Sequence, residues 1–186
     1  MTDARPESFD EAKTRASRLK LMAFDVDGVL SDGTLYYADN GTEMKAFNTL
    51  DGAGLNLLQR AGIKIAILTG RKAPCVEKRM QNLKIDLLFQ GVTNKLETMQ
   101  GLLAQLNLDL NEAGFMGDDL IDLQVMAACG FSAAPGDAHD LAKRHAQLIS
   151  SKPGGHGAVR EVCEFILEAQ GKLDAAIAPF LPGAKP

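Results

Sequence analysis

The chain has 186 residues, 46% of them hydrophobic and 24% charged, with a formal net charge of -4. That length suits one domain with a substantial core, and the ordinary composition and negative balance argue against a sequence-blind nucleic-acid binder. Cys75, Cys129 and Cys163 are odd in number, far apart and without metal or redox spacing, so they read as reduced thiols.

Residues 1–7 hold no apolar leader, and no apolar run approaches the twenty residues of a membrane span, so a cytoplasmic protein without membrane contact is expected. Ser8-Phe9-Asp10-Glu11 has the form of a capping box, and Phe9, Ala12, Ala16 and Leu19 follow at near-helical spacing, predicting a short amphipathic helix. The apolar run from Leu19 is too brief for an ordinary helix and predicts a buried strand that ends in Asp25-Val26-Asp27-Gly28. Two β-prone runs flank Asp39-Asn40-Gly41, which predicts a hairpin over about residues 34–48.

A helix is expected from Asp51 to Gly62, carrying Leu55, Leu57, Leu58 and Ala61, then a second strand over 63–68 ending in Thr69-Gly70-Arg71. Pro74 can open the next helix, followed by a third strand over 85–89 and a helix over about 94–106. A fourth strand over 113–116 precedes Gly117-Asp118-Asp119, with a helix over 120–128 and a weaker fifth strand over 130–133. Helices over 138–145 and 158–170 are separated by the glycine-rich Lys152-Pro153-Gly154-Gly155-His156-Gly157. Residues 172–186, with Pro179, Pro182, Gly183 and Pro186, read as a flexible tail behind a single domain of residues 1–171. The strand–helix alternation predicts an α/β fold.

Asp25 with Asp27, Thr69, Lys95, and Asp118 with Asp119 and Asp122 each follow a predicted strand. In a parallel sheet these positions gather at the carboxyl edge, where ligands bind. Carboxylates converging there repel one another unless a cation sits among them, and hard oxygen ligands suit magnesium. A lysine in the first turn of a helix opposes the macrodipole and becomes useful if it meets a phosphate. Singly, each residue has a plainer reading, as a turn, a cap, a strand stop or a solvated lysine. In this order and spacing, coincidence is a poor explanation. His139, His145 and His156 have no metal spacing and read as structural or solvated.

Asp25-x-Asp27-Gly28, Thr69-Gly70-Arg71, Lys95 and Gly117-Asp118-Asp119-x-x-Asp122 resemble, in order and spacing, the four motifs of the haloacid dehalogenase superfamily of phosphatases. The stretch from Asp25 to Gly33, Lys45-Ala46-Phe47-Asn48 with Asp51-Gly52, and Gly154 to Glu161 further resemble its family of 3-deoxy-D-manno-octulosonate 8-phosphate phosphatases. The resemblance implies a Rossmann-like three-layer sandwich around a parallel sheet, with a small β-hairpin insertion and no large cap domain. It also implies a nucleophile at Asp25, an acid and base at Asp27, and phosphoryl contacts from Thr69 and Lys95. Magnesium would be held by Asp25, the Asp27 backbone carbonyl and Asp118, while Asp119 and Asp122 read as supporting groups, one capping the helix and one orienting the metal waters or Lys95. The implied substrate contacts are Asp27, Asn48, Thr49, Leu50, Asp51, Gly52, Gly70, Arg71, Arg79 and Lys95, around a sugar phosphate bearing a carboxylate. A homotetramer would complete a lidless site with a wall from a neighbouring subunit, the Gly154 to Arg160 segment would act as a gate, and the product would enter lipopolysaccharide precursor synthesis.

Three rivals stand beside this reading. A receiver-type signalling domain needs its phosphoacceptor aspartate after the third strand, where this chain has Gln90-Gly91. A non-catalytic relative would have no need of Asp25, Asp27, Thr69, Lys95 and Asp118 together. A phosphatase of a nine-carbon sugar acid phosphate, or of a broader set of sugar phosphates, differs only in substrate.

Overall fold

All four residues of β1 (Leu21–Phe24) are buried, because the strand lies inside a sheet with helices on both faces. This computed structural model describes residues 9–183. Outside the sheet is the hairpin of β2 (Tyr36–Tyr37) and β3 (Glu43–Met44), two antiparallel pairs long. The sheet continues with β4 (Lys64–Thr69), β5 (Leu87–Gln90), β6 (Ala113–Met116), β7 (Phe131–Ala134) and β8 (Leu148–Ile149). Its strands are all parallel, in the order β5-β4-β1-β6-β7-β8. Phe24 stands level with Ile67 of β4 and Met116 of β6, so the chain leaves these three central strands close together at one edge.

The period-two alternation of β1 divides the core. Met22 and Phe24 join Leu55, Leu58, Met80, Val162 and Ile166 on one face; Leu21 and Ala23 join Met99, Leu103, Val125 and Met126 on the other. The first layer is built by α1 (Phe9–Ala16), α2 (Thr49–Arg60), α3 (Pro74–Leu83) and, later in the chain, α7 (Ala158–Ala169). The second is built by α4 (Lys95–Leu106), α5 (Leu123–Ala128) and α6 (Asp140–His145). This is the three-layer α/β sandwich expected, with the hairpin inside residues 34–48 and no cap domain among the described residues.

Several local expectations are corrected. Helix α2 starts at Thr49, because the Asn48 carboxamide oxygen caps it, accepting from the Leu50 N–H at 2.8 Å. The helix expected over 120–128 is a 3-10 turn (Leu120–Asp122) followed by α5. Here the Asp122 carboxylate folds back to the N–H groups of Asp118 and Asp119 at 3.1 and 3.4 Å. Strand β8 was not expected. Part of the expected tail is ordered: α8 (Leu173–Ile177) and a 3-10 turn (Ala178–Phe180) follow α7, with Leu173 and Ala176 packed against the core. Ser8, the proposed start of the first capping box, and Pro186 lie outside the described residues.

Candidate active site at the carboxyl edge of the sheet

Asp25 follows β1 directly, and its N–H donates to Met116 O at 3.0 Å, carrying the ladder one residue beyond the strand. That bond fixes the backbone, and the carboxylate is then aimed by two donors. Oδ1 accepts from the Val26 N–H at 2.7 Å, and Oδ2 lies 2.8 Å from Lys95 Nζ. Lys95 is the first residue of α4, buried like Asp25, and also donates to Asp122 Oδ1 at 2.5 Å.

Burial pushes the Asp25 carboxyl up to about 6, against the pull of Lys95 and with a further push from Asp122. For Lys95, burial works against the ammonium, and the two carboxylates outweigh it, so its pKa is raised. Asp118, just past β6, is pushed up to about 8, first by burial and then by the charges of Asp25, Asp122 and Asp119, with Lys95 opposing. One lysine therefore serves a crowd of acids.

Carboxylate oxygens of Asp25, Asp118 and Asp122 lie within 4.8 Å of one another. Asp122 spends Oδ1 on Lys95 and Oδ2 on two turn N–H groups, whereas each Asp25 oxygen takes a single donor and keeps a further lone pair, so Asp25 and Asp118 are the candidate metal ligands. Gly28 has a φ of +84°, and a Cβ there would strike the Asp118 carboxylate, so a side chain at this position would fill the space in front of the acids. A hard-oxygen set in that cradle fits a magnesium ion. Asp119 caps the 3-10 turn, accepting from the Leu120 N–H at 2.7 Å. A cavity of about 290 Å³ opens alongside, bordered by Gly28, Gly33, Asp118 and Asp137. A larger cavity of about 470 Å³, between α2, α7 and the C-terminal turn, includes none of these acids.

Thr69 ends β4 and is buried; its carbonyl accepts from the Val92 N–H at 3.0 Å, so the loop after β5 steadies the turn that presents Gly70 and Arg71 at the surface. Asp27 is half-buried beside the hairpin. Its Oδ1 accepts from Lys45 Nζ, and its Oδ2 lies 3.8 Å from Arg71 Nε. Arg71 Nη2 donates to Tyr37 OH at 2.7 Å and to Glu43 Oε2 at 2.8 Å, while Lys45 Nζ lies 2.8 Å from Glu43 Oε1. These bonds to Arg71 and Lys45 hold the Glu43 pKa below its ordinary value.

The segment from Asn48 to Gly52 divides. Thr49 and Leu50 are exposed, and Asn48 caps α2 while its Nδ2 donates to Gly155 O at 3.2 Å. Asp51, expected at the substrate, is buried and turned inward, its two oxygens accepting from the N–H groups of Gly157 at 3.2 Å and Arg160 at 3.0 Å. It caps α7, and burial, its largest influence, raises its pKa. Gly52 is buried too, and Arg79 spends Nη2 on Asn48 O at 3.0 Å. The glycines at 154 and 155 are not those of a free gate: both are buried, and a Cβ on Gly154 would strike Gly28 O. The three histidines are exposed, with His139 capping α6 through Nδ1, which accepts from the Leu141 N–H at 3.1 Å.

Lys45 and Glu43 had been given no role. The available signal was their spacing of two on a predicted strand, which puts both on one face.

Residues 87–162 match the haloacid dehalogenase-like hydrolase family. A 3-deoxy-D-manno-octulosonate 8-phosphate phosphatase of Salmonella typhi is 48% identical over 163 residues, 88% of this chain and 87% of its own. The chain belongs to the haloacid dehalogenase-like hydrolases. A second relative, the 3-deoxy-D-manno-octulosonate 8-phosphate phosphatase of Escherichia coli K12, is 48% identical over 87% of this chain and 86% of its own. The crystal structure of the Yersinia pestis phosphatase superposes with a TM-score of 0.87 at 45% identity, covering 89% of each chain. That of the Moraxella catarrhalis phosphatase, in complex with magnesium, phosphate and KDO, gives 0.92 at 42% identity, covering 94% of this chain and all of that one.

Proposed function

We propose that the chain is a magnesium-dependent phosphomonoesterase that hydrolyses 3-deoxy-D-manno-octulosonate 8-phosphate to phosphate and the free sugar acid, by way of an aspartyl phosphate on Asp25. The observation that carries this is the buried Asp25 carboxylate, aimed by Val26 and Lys95 at the carboxyl edge with Asp118 beside it. The relatives named above support the substrate.

In the first half-reaction an Asp25 oxygen attacks phosphorus as the ester P–O bond breaks, and Asp27 gives its proton to the leaving sugar oxygen. In the second, Asp27 takes a proton from the water that attacks the aspartyl phosphate, and Asp25 is restored. Thr69, the Gly70 backbone and Lys95 hold the phosphoryl oxygens. Magnesium, when held by Asp25, the Asp27 carbonyl and Asp118, offsets the repulsion between an anionic nucleophile and an anionic phosphate. Asp119 and Asp122 keep this set in register. Arg71 and Arg79 are the cations for the sugar carboxylate, and guanidinium can grip a carboxylate in a bidentate way.

The open site takes its remaining wall, including Thr49 and Leu50, from further copies in a homotetramer. Leu35, Tyr36, Tyr37, Met44 and Leu50 support this as exposed apolar side chains on and beside the hairpin. Three unpaired cysteines agree with the reducing cytoplasm as the compartment.

The test is phosphate release from 3-deoxy-D-manno-octulosonate 8-phosphate, a nine-carbon sugar acid phosphate and hexose phosphates, with magnesium and with chelator. A chelator-sensitive preference for the first supports the reading; equal slow hydrolysis of all refutes the named substrate. Turnover by an Asp25→Asn variant at more than trace level would refute the nucleophile.

A further inference from the structure

The side chain of Lys45 is fully buried although its neighbours Met44 and Ala46 on the hairpin are exposed. Lysine is almost never buried unless it is paired, and this one is paired twice, with Asp27 and with Glu43. The hairpin that carries it has only two rungs, and an isolated two-stranded ribbon is marginal in water. Its posture over the sheet edge therefore depends on what it grips, and Lys45 grips a carboxylate of the reaction centre.

The chemistry of the pair is more specific than an anchor. An ammonium is a donor with no acceptor capacity, so the carboxyl oxygen facing it must be an acceptor. Lys45 faces Asp27 Oδ1. The other oxygen, Oδ2, is left toward the site, with Arg71 Nε at 3.8 Å, beyond hydrogen-bond reach. Glu43 holds Lys45 from its other side and Arg71 through Nη2, tying the two cations to one carboxylate.

We infer that Lys45 is a positioning residue for proton transfer to the leaving group: its ammonium holds Asp27 Oδ1, fixes the orientation of the carboxyl group and leaves Oδ2 to face the departing oxygen. The inference rests on the role given to Asp27 above. As the Asp25–phosphorus bond forms and the ester P–O bond breaks, the Oδ2 proton passes to the departing oxygen. The carboxylate left on Asp27 remains paired with Lys45, and the same oxygen later receives the proton of the attacking water. The hairpin is by this account part of the chemical apparatus as well as a contact surface.

The test is the dependence of kcat/KM on leaving-group acidity, a quantity that reports steps through departure of the leaving group. Wild type, Lys45→Met and Lys45→Arg are compared on 4-nitrophenyl phosphate, phenyl phosphate and glycerol phosphates, which carry no carboxylate for another cation to bind. Asp27 protonation matters most for alkoxide leaving groups and least for nitrophenolate. Lys45→Met is expected to lose about tenfold or more on glycerol phosphates and less than about threefold on 4-nitrophenyl phosphate, with Lys45→Arg recovering most of the loss. A loss of equal size on every ester, or none, overturns the inference, since a structural or binding role moves all esters together. Phosphate release from 3-deoxy-D-manno-octulosonate 8-phosphate by wild type is the control: its absence would refute the phosphatase reading itself, and this inference with it.

Discussion

Among the described residues, Lys95 is the single cation in direct contact with both Asp25 and Asp122, at 2.8 and 2.5 Å, and all three side chains are buried. At an effective dielectric near 20, each contact is worth about 6 kcal/mol of gross Coulomb energy. Most of that offsets the desolvation of three charges, and removing one partner of a buried pair leaves a net loss of about 3–5 kcal/mol. Both acids keep backbone donors, Val26 for Asp25, and Asp118 and Asp119 for Asp122, so Lys95→Met should sit at the lower end, about 3 kcal/mol near neutral pH. The sign with pH follows from the direction of the shift. Asp25 already stands at about 6 with Lys95 beside it, and loss of the lysine raises it further. A carboxyl whose folded pKa lies above its unfolded value of about 4 stabilises the fold below that value and loses this as pH rises through the folded one. The deficit of Lys95→Met is therefore full at about pH 8 and shrinks toward about pH 5. Urea unfolding of both proteins in chelator across that range measures it. An equal deficit at both ends, or one under about 1 kcal/mol throughout, would show that the lysine does not compensate buried carboxylate charge.

Asp51→Ala leaves the Gly157 and Arg160 N–H groups without their acceptor and should cost about 2–3 kcal/mol in urea unfolding, with Asp51→Asn recovering part. Little change in either would mean that water replaces the carboxylate freely. Gly154→Ala pushes a methyl group into Gly28 O and should cost about 1–3 kcal/mol, with lost turnover, because Gly28 shapes the space before Asp118. Normal turnover in that variant would show that the catalytic loop yields without harm. Asp118, pushed up to about 8 in the metal-free protein, holds a proton at neutral pH, so magnesium binding should release close to one proton there and tighten as pH rises toward that value. Titration calorimetry in buffers of different ionisation enthalpy reads the proton count, and a count near zero would contradict the raised carboxyl.

Asp25, Thr69, Lys95 and Asp118 were legible because each stands at a change of local pattern, where an apolar strand gives way to a turn or to a helix start, and parallel topology brings such points together. Asp51 was misread for the opposite reason. Its partners lie 106 and 109 residues away, at the start of α7, and nothing near it reveals whether the carboxylate points outward or in. Lys45 stands in a stretch that carries the family resemblance, but its role is not legible there because it depends on how a two-rung hairpin leans on Asp27. The short helix α8 was taken for a tail because Pro179 and Pro182 weigh more in a local reading than Leu173 and Ala176, whose packing is tertiary. The glycines at 154 and 155 suggested mobility, whereas backbone against backbone is what requires them.

The cap that Asp51 places on α7 has a consequence for where an anion can settle. A glycine-rich stretch leading into a helix is the usual build of a phosphate cradle, and Gly154 to Ala158 has that outline. Here the chain brings its own anion: the Asp51 carboxylate already takes the N–H groups of Gly157 and Arg160. The two ends of the domain that could compete for a phosphoryl group are thereby made unequal. One is filled from within, and the incoming ester is left with the edge where Asp25 waits.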